Sequence, residues 1–244
     1  MTYWLLLPLA LVAFLYATVG HAGASGYIAV LALAGMPAAQ IKPLALILNT
    51  VVASQGGWQF WRAGHLRWRL FWPVLLAGLP AAFLGGWLDL PALWFQRLIA
   101  LVLIASALRF LRQPRDVPQF TQPSLALLIL SGACLGLLAG LTGTGGGIFL
   151  TPLLLLCGWA STRQAAAVSS LFILGNSLSG LAGLLFARQA SGLQMSWPLA
   201  LSLLVVLVAG AVGSRLGSRY LSVAWIRRCL ALVLLLASFK LLAL

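Results

Sequence analysis

The stretch Leu138-Ala-Gly-Leu-Thr-Gly-Thr-Gly-Gly-Gly-Ile-Phe-Leu-Thr-Pro152 decides how the rest of the chain is read. Positions 142–147 hold only threonine and glycine, inside an apolar run with no charged side chain between Val117 and Thr162. Each glycine loosens a helix by about 1 kcal/mol relative to alanine, so Gly145-Gly146-Gly147 breaks one. At membrane depth, broken backbone is tolerated only where protein buries it or where it lines a cavity. The N–H groups released by such a break suit an anion, because helix N-termini and glycine nests carry partial positive charge. Thr142 and Thr144 add hydroxyls, so Gly143, Thr144, Gly145, Gly146 and Gly147 with Thr142 are predicted to bind substrate.

The surroundings settle the class. Hydrophobic residues make up 62% of the 244, charged ones 7%, and mean hydropathy is +1.06, values of a polytopic, all-α membrane protein. The apolar segments are too long and too continuous to be barrel strands. A net charge of +13 comes from arginines scattered between apolar segments, which reads as membrane topology and excludes nucleic acid as the partner. Cys134, Cys157 and Cys229 lie in apolar surroundings without CxxC or Cys/His spacing and are expected to pack, so neither metal nor disulfide is indicated. Met1-Thr-Tyr-Trp-Leu-Leu-Leu-Pro8 looks like the apolar part of a signal peptide without its basic start. The repeat described next makes residues 3–36 structural instead.

The glycine break occurs twice. Residues 1–41 carry no charged side chain and hold Gly20-His-Ala-Gly-Ala-Ser-Gly26. Gly20, Gly23 and Gly35 lie 123 positions before Gly143, Gly146 and Gly158. Ala45, Asn49, Ala53 and Gly56 precede Phe172, Asn176, Gly180 and Gly183 by 127, Trp72-Pro73 precedes Trp197-Pro198 by 125, and Trp94 and Arg97 precede Trp225 and Arg228 by 131. The order holds while loop lengths drift. The chain is therefore read as two tandem transmembrane repeats, 1–111 and 119–244, joined by a linker at 112–118. Each repeat has one glycine-broken segment (3–36; 124–157) and three plain spans, at 43–61, 70–88 and 94–111, then at 165–187, 196–217 and 224–243.

These eight segments give eight crossings if each broken segment crosses once, or ten if each crosses twice. With eight, the 15 lysines and arginines divide eight against seven between the faces. With ten, Arg62, Arg67, Arg69, Arg109, Arg112, Arg115, Arg163, Arg215, Arg219, Arg227 and Arg228 share a face, against Lys42, Arg97, Arg188 and Lys240. Cytoplasmic loops are enriched in these residues, so ten is favoured. Five crossings per repeat is odd, which makes the repeats inverted, as in transporters with discontinuous helices, and re-entrant broken segments are the alternative to two full crossings.

Further substrate contacts are expected from Asn49 and Asn176, each on a small-residue helix face, and from Ser169, seven residues before Asn176 on that face. The first break offers Gly20, His21, Gly23 and Ser25, and His21 is the one titratable group deep in a break. For all of these, close packing or helix-to-helix hydrogen bonding is the competing reading. Asp89 and Asp116 are the only acids and fall in expected loops, so no carboxylate relay is present. No paired carboxylates, GxSxG, HExxH or Walker sequence occurs, which argues against an enzyme and against a cofactor.

Gly143-Thr-Gly-Gly-Gly147, with Pro152 and Gly158 behind it, resembles the GxGGG…P…G signature of the TauE/SafE family of sulfite exporters. Arg62-Ala-Gly-His-Leu-Arg-Trp68 is similar to that family's loop after the second span. The first break is degenerate, with Ala29 where the second has Pro152. The resemblance implies a multi-pass plasma-membrane transporter (bacterial inner membrane) of small anions, with sulfite and organosulfonates as the substrate class. A passive anion channel and a non-transporting membrane scaffold are the alternatives. The partners expected are a small anion and the lipid bilayer, with a homodimer left open.

Overall fold

The computed structural model describes residues 3–36, 38–88, 121–187 and 197–220, with isolated positions 104, 108, 228, 231, 232, 235 and 239. The linker at 112–118, Asp89 and Asp116 lie outside the described residues, as does nearly all of the spans expected at 94–111 and 224–243. All regular elements among the described residues are helices. After a 3-10 turn at Tyr3–Leu5 come α1 (Leu6–Thr18), α2 (Ala24–Leu33), α3 (Ala38–Arg62), α4 (Trp68–Trp87), α5 (Leu125–Thr142), α6 (Gly147–Leu156), α7 (Thr162–Phe186) and α8 (Trp197–Arg215), and a π-helical turn, Leu216–Tyr220, extends α8. Four apolar helices are long enough to cross a bilayer, Trp68–Trp87, Leu125–Thr142, Thr162–Phe186 and Ala200–Tyr220.

Local sequence explains the ends. Ser124 accepts a hydrogen bond from the Leu127 N–H at the head of α5. Ser161 and Gln164 form a reciprocal capping box at the head of α7. Gly143, in the left-handed conformation, closes α5 with its N–H on the Ala139 carbonyl, and Gly146, also left-handed, opens α6.

In lipid, helices do not cohere by hiding apolar surface; they cohere where small residues let backbones meet. Gly132, Gly136 and Gly140 of α5 lie in turn against the backbones of Val74, Gly78 and Ala82 of α4, so these helices run parallel. Gly213 and Gly217 meet the backbones of Phe14 and Thr18, which makes α8 parallel to α1. Gly175 and Gly183 of α7 meet Leu75 and Phe83 of α4, again in parallel. By contrast α3 and α7 cross as antiparallel partners, with Gly57 on Leu171 and Asn49 on Ser177. Contacts are thus exchanged between the halves: α1 packs on α8, and α5 on α4, with α3 and α7 between. Leu7, Leu76, Leu125, Leu130 and Phe186 point outward and are exposed, as side chains facing lipid tails are.

Each broken segment is a hairpin. Tyr16 of α1 and Ser25 of α2 share a hydrogen bond of 2.9 Å across the first, and Gly26 packs on Val12. In the second, the Thr121 N–H ahead of α5 donates to the Gly158 carbonyl beyond α6 at 3.0 Å, so both ends of the segment meet. The second hairpin begins and ends at the end of the bundle where Arg62, Arg215 and Arg219 line one cavity and Arg67 Nη1 donates to the Trp159 carbonyl. Its tip lies at the opposite end, where Lys42 at the start of α3 covers Gly143.

Candidate site at the helix breaks

The second break is held by the first half of the chain. Asn49 of α3 donates Nδ2–H to the Thr144 carbonyl at 3.2 Å and stands 3.5 Å from Ser177 Oγ. A Cβ added to Gly145 would lie 2.8 Å from Asn49 Nδ2, Ser177 Oγ and Ile173 Cγ2 alike. Only glycine fits that position. Gly146 is pressed against Phe172 and Ala139, and Gly147 against Ile173. The first N–H groups of α6 have no intrahelical acceptor, and they emerge at this point.

Thr142 and Thr144 are half-buried and bonded to each other. Thr142 Oγ1 donates to the Leu138 carbonyl at 2.7 Å, so the 2.7 Å contact between the two hydroxyls must use the Thr144 proton. Both protons are spent within the break, and what these hydroxyls present further is lone pairs.

The first break is held by the second half in return. Ser170 shares its one hydroxyl proton between the Gly20 carbonyl at 2.9 Å and the Ala166 carbonyl of its own helix at 2.8 Å, and Gly20 lies against the Ala166 backbone. His21 Nε2 is 2.9 Å from the Gly147 carbonyl and 3.0 Å from Thr151 Oγ1, while Thr151 donates to Ser169 Oγ at 2.7 Å. A carbonyl can only accept, and the Thr151 proton is already placed on Ser169. Nε2 therefore carries the hydrogen, and Nδ1 is a lone-pair acceptor, buried and without a hydrogen-bond partner. Gly23 packs on the Tyr27 ring, and Ser25 on Tyr16.

The two asparagines do not touch each other. Ser177, rather than Asn176, meets Asn49; Asn176 turns a face of α7 toward α4, where its Oδ1 would lie 3.1 Å from a Cβ on Gly78. Both are fully buried, and Asn49 Oδ1 and both polar atoms of Asn176 have no hydrogen-bond partner. A buried amide left unpaired costs about 1–3 kcal/mol, which a bound polar molecule would recover.

Thr151 is a residue the sequence reading did not single out. It is a polar position between apolar neighbours on α6, one turn beyond Gly147, and that placement is the only signal it gives. Ser170 and Ser177 are visible as a stripe beside Ser169, yet which helix they face is set by the exchange of partners between halves.

The profile of the sulfite exporter TauE/SafE family matches residues 5–241. The chain belongs to that family. A "Probable membrane transporter protein y4hK" from Sinorhizobium fredii is 37% identical over 238 residues, which cover 95% of this chain and 94% of that protein. No solved structure matches. As a TauE/SafE protein the chain is a multi-pass membrane transporter. In this TauE/SafE chain, Gly145 and Gly146 of the signature are packed from both sides by α3, α5 and α7.

Proposed function

We propose that this chain exports small sulfur-containing anions, sulfite or an organosulfonate, across the bacterial inner membrane by alternating access. The observation that carries the reading is the head of α6 emerging at Gly145–Gly147 beside the buried Asn49, whose Oδ1 lacks a protein partner. Backbone N–H groups and the Asn176 amide are donors for oxyanion oxygens. Lys42, over Gly143 at the lip of the second break, adds positive potential. The lone pairs on Asn49 Oδ1 and His21 Nδ1 suit an anion that still carries a proton.

The antiparallel crossing of α3 and α7, and hairpins clasped by the opposite half, fit an inverted pair of repeats, 1–111 and 119–244, rocking one against the other. An inside-negative potential of about 100 mV favours export of a monovalent anion by about 2.3 kcal/mol, so flux needs no proton relay.

The test is efflux of sulfite, thiosulfate, sulfoacetate, sulfate, acetate and chloride from proteoliposomes, with thermal stability measured against each anion. Saturable efflux and stabilisation limited to one or two sulfur anions are expected. Unsaturable current carried by chloride as readily as by sulfite would replace the transporter with a channel.

A further inference from the structure

Gln55, Trp58, Gln59 and Arg62 occupy one face of α3, at spacings of three, one and three residues, and Arg215 and Arg219 lie four apart where α8 passes into the π-helical turn. Together they line an open cavity of about 450 Å³ at the arginine-bearing end of the bundle, far from the tip of the second hairpin. Gln59 Nε2 donates to the Ala211 carbonyl at 2.9 Å and ties the two walls together. The Arg62 guanidinium lies 5.6 Å from the centroid of the Trp58 ring. No carboxylate exists among the described residues, so none of them neutralises the three arginines. Their mutual repulsion acts within a screening length of about 8 Å. The positive-inside rule accounts for arginines at this end of the molecule, but not for three of them converging on one cavity.

Depth is marked by tryptophan. Trp58, Trp61, Trp68 and Trp72 are each about half exposed and form a ribbon, with ring centroids 5.2 Å apart for Trp58–Trp61, 6.4 Å for Trp61–Trp68 and 5.9 Å for Trp68–Trp72. Exposed tryptophans of this kind sit at headgroup level.

We propose that this cavity is a binding site for a phosphate-type oxyanion at the membrane surface, with the headgroup of an anionic phospholipid as the source that the tryptophan ribbon favours. Guanidinium groups supply paired N–H donors matched to two oxygens of one phosphate. The site shares no lining residue with the one proposed at the helix breaks.

The full-length protein is purified in neutral detergent, and its melting temperature is recorded with added phosphatidylglycerol, phosphatidylcholine or inorganic phosphate. A rise of at least about 3 °C with phosphatidylglycerol and none with phosphatidylcholine is expected. The R215Q/R219Q variant should lose it. R215K/R219K, which keeps the charge and hence the topology, should lose most of it, because an ammonium cannot make the paired contact. R69Q, on the same end but outside the cavity, should keep it. A matching rise with inorganic phosphate, lost in the same variants, would support the oxyanion site and make the free ion its occupant. Equal loss in R69Q, or full retention in R215Q/R219Q, would overturn the proposal.

Discussion

At the scale of single residues, the breaks depend on atoms that leave no room. Gly145 has φ +71°, a conformation that costs a residue with a Cβ about 1–2 kcal/mol, and its neighbours stand 2.8 Å from where that Cβ would be. Gly145→Val should therefore reach the membrane yet lose transport by more than about tenfold, as measured by efflux per inserted protein. Normal efflux would remove the second break from the pathway. His21 makes a different prediction. Its Nε2–H is shared by the Gly147 carbonyl and Thr151 Oγ1, so His21→Ala and Thr151→Val delete parts of one hydrogen-bonded chain. Such neighbours couple by about 0.5–3 kcal/mol. The melting-temperature losses of the two single variants should then add up to more than the loss of the double variant, and simple additivity would mean that the chain has no cooperative role.

At the scale of elements, the sequence shows where helices stop but not which faces they share. Gly143–Gly147 and Gly20–Gly26 are legible as breaks because glycine clusters in an apolar run have one physical meaning, and among the described residues the helices begin and end within a few residues of the spans expected at 43–61, 70–88, 165–187 and 196–217. Faces are harder, since helices in lipid are apolar all round and period-3.6 patterning is silent. The stripe Gly132, Gly136, Gly140 marks a contact, yet nothing in it names α4 as the partner. The same gap hides the cavity of three arginines: Arg62 and Arg215 are far apart in sequence and read as separate topology signals. The loop between α3 and α4 carries a pH-dependent contact. His65 Nε2 lies 3.1 Å from the Ser218 carbonyl in the π-helical turn. Burial and then the nearby Arg163 charge pull the His65 pKa below the ordinary imidazole value, against the pull of that carbonyl. The folded protein thus binds fewer protons here than the unfolded chain just below that value. This contribution to stability is complete above about pH 6.5 and falls as the pH drops through the window beneath it. The melting temperature of His65→Gln should lack that acid-side decline between pH 5 and 7; an unchanged profile would assign the decline to other groups.

At the scale of the whole molecule, the charges and the helix directions give the same answer by independent routes. Counting cations favours two passes for each broken segment, and the hairpins return each segment to the end it started from, as the bond between Thr121 and Gly158 requires. The hairpin arms are short: α6 has 10 residues and is about 15 Å long, half the hydrocarbon thickness. By length only α5, with 18 residues, completes a crossing, whereas charge placement points to an even number. Cys157 separates the two. It is exposed, lies just past α6, and in a hairpin shares a membrane face with the loop at 63–67. In a variant with Cys134 and Cys229 changed to serine, a membrane-impermeant maleimide should label Cys157 in inverted vesicles and spare it in intact cells. Ala63→Cys in a background that also lacks Cys157 should behave identically, since both sit at the arginine-bearing end. Labelling of Cys157 from outside, with Ala63→Cys still labelled from inside, would mean that the second broken segment crosses once. That outcome would return the cation count to eight against seven and leave the two halves without the inverted relation on which the proposed alternating access rests.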